Sequence, residues 1–234
     1  MDKETTKVKK MNAKIFSVLK DLKEQGKDDA FIWEYIENKN PEKHFSIPLI
    51  KKIIENDMCL DELAHLNLDD KSLMALYQKN PQACAEAAMT LIDHMLHSDV
   101  SVQKFTNVFS KCCDNRICYY LFQCIIYNRA YDKVTMEKYR RAICIIQKKY
   151  NPTDDVYKES LRFREFLDLL ITDNTAYIRD CSQRKDDVLL MAVSLNQNTP
   201  MDIIDYLITI KDIKNAKIIR TNAERLKKRV AKLF

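Results

Sequence analysis

One glycine, Gly26, stands among 234 residues, where average usage would supply about 16. Glycine supplies positive φ in tight hairpins and lets backbone approach phosphates closely. Its scarcity therefore removes whole classes of fold and site. Walker loops, dinucleotide fingerprints, G-x-S-x-G elbows and Asn-Gly hairpins are all unwritable in this chain. What remains is an all-α protein whose turns are made by Asn, Asp, Ser, Thr and Pro.

The length allows one large domain or two small ones, with ample core. Apolar residues make up 46% and charged residues 31%, a balance suited to helices with charged outer faces around an apolar interior. Apolar runs fall short of the ~18 residues that span a bilayer. The charged start, Met1 to Lys10, leads into no signal-peptide core. Of eight cysteines, Cys59, Cys84, Cys118, Cys124, Cys144 and Cys181 sit within apolar helical stretches, where thiols behave as small hydrophobes. Without an export signal, reduced thiols in the cytoplasm are the expectation.

The net charge of +5 is unevenly placed: residues 1–27 carry +4, residues 211–234 carry +7, and residues 28–210 carry −6. Periodicity divides the chain the same way. A basic N-terminal helix (1–27) carries Val8, Met11, Ile15, Val18 and Leu22 on one face, and Gly26 follows as its cap. A helical body (28–210) follows, and a basic C-terminal helix (211–234) closes the chain. Asp28 or Asp29, Ser46-Ile47-Pro48, Asp69, Asn80-Pro81, Asp99 or Ser101, Asp114 or Asn115, Thr135, Thr153, Asn174, Asp186 and Thr199-Pro200 mark helix starts. Ile117–Tyr127 is apolar nearly all round and reads as a central, buried helix, with its tyrosines in the core. The expected architecture is a single domain of about a dozen short antiparallel helices. It is either helical-repeat (α-solenoid-like) or an irregular multi-helix bundle.

Residues 186–223 hold the most distinctive pattern: Asp187-Val188-Leu189-Leu190-Met191-Ala192-Val193-Ser194-Leu195-Asn196, then Thr199-Pro200, Ile203, Ile204 and Leu207, then Ala216, Ile219 and Ala223. This stretch resembles the variant leucine-rich repeats of the HEAT-like α-solenoid superfamily. In these a short helix ends near asparagine, and a Thr-Pro pair starts the next. The resemblance implies stacked helices and binding of protein or nucleic acid more often than catalysis. A weaker echo lies at Leu73–Pro81. The chain lacks the regular period of roughly 24 residues of such arrays, and the family's cluster-binding cysteines have no counterpart, so no functional residue is carried over.

Catalytic and metal-binding patterns are weak. His94 and His97, with Cys112 and Cys113 one helix later, have the residue types of a zinc site. In an antiparallel hairpin turning near Ser98, however, Cys112 lies about 18 Å up the second helix. Cys59 and His65 are the nearest cysteine–histidine pair and show no activating neighbour. The doubled aspartates at 28/29, 69/70, 154/155 and 186/187 precede apolar runs, where capping explains them. No catalytic, cofactor or metal residue is therefore expected.

The last helix carries the sharpest physical signal. Ala216, Ile219, Ala223, Leu226, Val230 and Leu233 step by three and four into a narrow seam. Lys217, Arg225, Lys228 and Lys232 cluster within about 80° on the opposite side. A solvated helix closing an α-stack accounts for this, and so does a basic binding face for nucleic acid or an anionic membrane surface. Three functional expectations follow. The first is a non-catalytic protein–protein interaction module, and the second a nucleic-acid or anionic-membrane binder using its basic ends. The third is compositional: low Gly with abundant Lys, Asn and Ile also suits an effector-type protein of an intracellular bacterium acting on host proteins.

Overall fold

Side-chain oxygens that capture free N–H groups set where these helices begin. In the computed structural model, which describes residues 15–39, 47–56, 63, 68–82, 84–127 and 131–232, the described residues form thirteen helices and no strand. They are α1 (15–24), α2 (Asp29–Lys39), α3 (Ile47–Glu55), α4 (Asp70–Lys79), α5 (Ala85–Leu96), α6 (Val102–Cys112) and α7 (Asn115–Tyr127). Then come α8 (Lys133–Lys149), α9 (Asp155–Leu169), α10 (Thr175–Gln183), α11 (Asp187–Leu195), α12 (Met201–Thr209) and α13 (Ala216–Val230). None is long and apolar enough to cross a membrane.

Asp28, Asp69, Ser101, Asp114, Asn174 and Asp186 each accept a backbone N–H three residues on, as capping requires. Gly26 takes φ 74°, and the N–H of Lys27 closes α1 on the Leu22 carbonyl at 3.1 Å. With glycine spent there, the other left-handed corners among the described residues fall to Lys185 (φ 55°) and Asn215 (φ 65°).

Four starts differ from the sequence expectation. Asn80 closes α4 and turns the chain through Gln82, so α5 begins only at Ala85. Asp132 starts α8 ahead of Thr135, because its carboxylate accepts the Val134 and Thr135 N–H groups and the Thr135 hydroxyl. Asp154, not Thr153, precedes α9. Thr199 turns inward and donates to the Val193 carbonyl at 2.7 Å, leaving Pro200 at the α12 cap position.

The chain divides into two compact units, with the boundary in the sequence after Met95. In the first, α3 packs on α4, and Ile53, Leu73, Leu76, Ala88 and Ile92 are buried. In the second, α8 packs against α6 and α9, α7 and α11 against α9, and α13 against α11 and α12. Stacked Phe122 and Phe163 rings, 4.6 Å apart, join α7 to α9.

The most enclosed helix is α11, buried at every residue from Val188 to Ser194. The expectation that Ile117–Tyr127 is the central helix is not met. Tyr119 and Tyr127 are 43% and 60% exposed, because tyrosine supplies apolar bulk while its hydroxyl remains suited to water. Cys144 is likewise exposed rather than core, whereas Cys84, Cys118 and Cys181 are buried. Cys112 is buried at the end of α6, and Cys59, Val8 and Met11 lie outside the described residues.

Candidate functional site

The C-terminal helix follows its seam through Leu226; Val230 is only half-buried, and Leu233 lies outside the described residues. Ala216, Ile219, Ala223 and Leu226 are buried against α11 and α12. Lys217, Arg225, Lys228 and Lys232 are all exposed, and among the described residues none of the four pairs with a carboxylate. Lys227 is spent differently, tying α13 to Asp205 of α12 at 2.6 Å. Asn215 anchors the start of α13 by donating to Asp187 at 2.8 Å.

A groove of about 380 Å³ opens between α10 and α12, lined by Arg179, Ser182, Gln183, Lys185, Asp202, Ile203 and Tyr206. The Arg179 guanidinium grips Asp202 through two bonds, at 2.5 and 3.0 Å, and closes one side. This contact holds the Asp202 carboxyl below the usual carboxylate range. Lys185, in its left-handed turn, ends α10 at the groove. Tyr206 is 43% exposed there, and Met201, at the start of the same helix, is also exposed. Exposed tyrosine and methionine beside arginine form the side-chain mixture enriched in protein interfaces.

Opposite in character is a cavity of about 580 Å³ between the Leu96–Val102 turn and the start of α8, with Lys138 and Tyr139 in its lining. Lys138 is 1% exposed. Its ammonium donates to the Ser98 carbonyl at 3.0 Å. Burial lowers its pKa, against the pull of Asp132 and Asp99. Two helix N-termini border this space, but Ser101 caps one and Asp132 fills the other with its own carboxylate. The N-termini are thus closed by their own caps, and the lysine braces the turn. Near a helix start, a lysine ordinarily points to water. The missed signal is its register, three residues after Thr135 and four before Ala142, both of them buried.

The zinc-like residues are placed separately. His94 lies 3.8 Å from Asp70, and His97 lines the cavity just described. Cys112 is buried, with its thiol pushed up to about 12 by burial, and Cys113 faces Cys118. Among the described residues no group of three or more His, Cys, Asp or Glu is arranged to hold a metal. Cys59 and His65 lie outside the described residues.

No family model matches this chain, and neither a curated protein nor a solved structure matches it significantly.

Proposed function

We propose that this protein acts by binding another protein along the α10–α13 stack. The observation that carries the reading is the groove between α10 and α12, where Tyr206 and Ile203 lie beside the Arg179–Asp202 pair. Tyrosine and arginine are the usual anchors of such contacts. The resemblance of residues 186–223 to HEAT-like repeats supports the same reading, since those residues build α11, α12 and the first half of α13.

A second reading draws on a separate observation, the exposed cations Lys217, Arg225 and Lys228 of α13 and Lys232 just past its end. In it, α13 lies against nucleic acid or an anionic membrane surface. Phosphate neutralisation makes such binding fall steeply with salt.

The test uses full-length protein as bait for cross-linking and partner identification, with two variants. Tyr206→Asp with Arg179→Glu alters the groove; Lys217, Arg225, Lys228 and Lys232 all changed to Glu alter the face. Loss of a purified, identified protein partner with the groove variant alone supports the first reading. Salt-sensitive binding to duplex DNA or phosphatidylserine vesicles, lost only with the face variant, favours the second. A partner that binds both variants as it binds the parent removes both surfaces from the account.

A further inference from the structure

Two buried thiols meet where α6 hands over to α7. Cys113 caps the end of α6, Cys113 and Asp114 alone link it to α7, and Cys118 stands one turn into α7. Their sulfurs are 3.4 Å apart, against about 2.0 Å in a disulfide. The short connection holds them there: the Asp114 N–H turns back onto the Cys112 carbonyl at 2.8 Å, and its carboxylate caps α7 at Ile117. From α8, Lys149 donates to the Cys113 carbonyl, and the Tyr150 hydroxyl lies 3.4 Å from the same oxygen. A cation and a hydroxyl group therefore converge on one peptide beside the paired sulfurs.

We propose that Cys113 and Cys118 form a redox pair, which a hydroperoxide converts to an intramolecular disulfide across the α6–α7 turn. In the first step the Cys113 thiolate attacks the distal peroxide oxygen. The O–O bond breaks, the alcohol (or water) leaves with a proton, and Cys113 becomes a sulfenic acid. In the second, the Cys118 sulfur attacks the sulfenic sulfur, the S–S bond forms and the S–O bond breaks. Water leaves with the Cys118 proton. Two thiols and one hydroperoxide give one disulfide, one alcohol and one water, with the two electrons passing to the peroxide.

The surroundings assign the order of attack. Hydrogen bonding from Cys118 lowers the Cys113 pKa against burial, with help from Lys149, while Cys118 itself is pushed up. Cys112 next door is pushed up to about 12 and turns back to the Val108 carbonyl, which leaves it a poor competitor. Cys113 is 1% exposed and Cys118 0%, so oxidant enters only as the turn opens, between the exposed residues Asn115 and Arg116. Closure is accordingly slower than oxidation of the exposed thiol of Cys144.

The test is made on the folded full-length protein with hydrogen peroxide, followed by alkylation, trypsin and mass spectrometry. Cleavage after Lys111 and Arg116 puts Cys113 on the peptide 112–116 and Cys118 on the peptide 117–129, so closure appears as two peptides joined through sulfur. The expected result is a joined pair lighter by two hydrogens and released by dithiothreitol. It persists in Cys112→Ser and Cys124→Ser and is lost in Cys113→Ser and Cys118→Ser. Dimedone is expected to trap sulfenic acid at Cys113 in the Cys118→Ser variant, and to find none at Cys118 in Cys113→Ser. Circular dichroism checks that the variants stay helical, and the parent protein alone decides the matter if they do not. Both thiols of the folded parent remaining alkylatable after peroxide, over-oxidation of Cys113 without closure, or joining through Cys112 or Cys124 would each overturn the proposal.

Discussion

At Asp186 one carboxylate performs two tasks. It accepts the N–H groups of Val188 and Leu189 at 2.9 and 3.0 Å, starting α11. It also takes both arms of the Arg162 guanidinium at 2.6 and 2.8 Å, fastening α11 to α9. Arg162 further reaches Asp187 at 2.7 Å. Asp186→Ala is expected to lower stability by roughly 2 kcal/mol, the sum of a lost cap and a partly stranded guanidinium. Asp186→Asn keeps the cap and is expected to cost about half that, as urea denaturation will measure.

The pH dependence follows from the same contacts. Burial works against the ionised carboxylate, but the Arg162 and backbone hydrogen bonds outweigh it, and the Asp186 pKa is lowered. A depressed carboxyl stabilises fully above its unfolded value of about 3.9 and loses that contribution as pH falls through its lower folded value. Melting of the parent should therefore fall more steeply over this acid range than melting of Asp186→Asn. Equal slopes would show that the pair contributes nothing.

At the scale of elements, the corner between α11 and α12 decides how the C-terminal helices connect. Asn196 is buried. Its amide donates to the carbonyls of Leu169 and Thr172 at 2.5 and 2.8 Å, and its oxygen accepts the Asn198 N–H at 2.7 Å. The end of α9, beyond which no helical N–H is available, is thus completed by a residue 27 positions away. Asn196→Asp keeps the shape but removes both donors and faces a carboxylate toward two carbonyls. The expected loss is about 3 kcal/mol in denaturant titration at neutral pH, with partial recovery as the carboxyl is protonated. The motif Asn196 to Pro200 was legible in the sequence as a helix–turn–helix junction. That Asn196 reaches back to α9 was not, because a side-chain partner 27 residues distant leaves no local pattern. The same limit applies to Thr199, whose hydroxyl satisfies the Val193 carbonyl behind it instead of capping the helix ahead.

For the whole molecule, α13 combines an adhesive and a charged side. A chain ending at Lys211 loses the burial of Ala216, Ile219, Ala223 and Leu226 against α11 and α12. With roughly 1.5–3 kcal/mol for each large buried side chain set against a total stability of ~5–15 kcal/mol, that truncation is expected to abolish cooperative melting. Reversing the charges of Lys217, Arg225, Lys228 and Lys232 touches none of that burial. It should shift stability by less than about 1 kcal/mol. Thermal circular dichroism of the two proteins separates the helix's packing from the function of its outer face. Of these two proteins, only the charge variant can therefore report on binding.

Period and punctuation alone determined that this chain is helical and where most of its rods lie. They also settled which side of α13 faces inward, because burial follows local geometry repeated every three or four residues. Tertiary structure alone decided the rest. It drew Lys138 under the Ser98 turn, set Cys113 against Cys118, left Tyr119 and Tyr127 at the surface, and opened the groove beside Tyr206. Each of these depends on which helix comes to lie beside which, a choice made by packing between residues far apart along the chain.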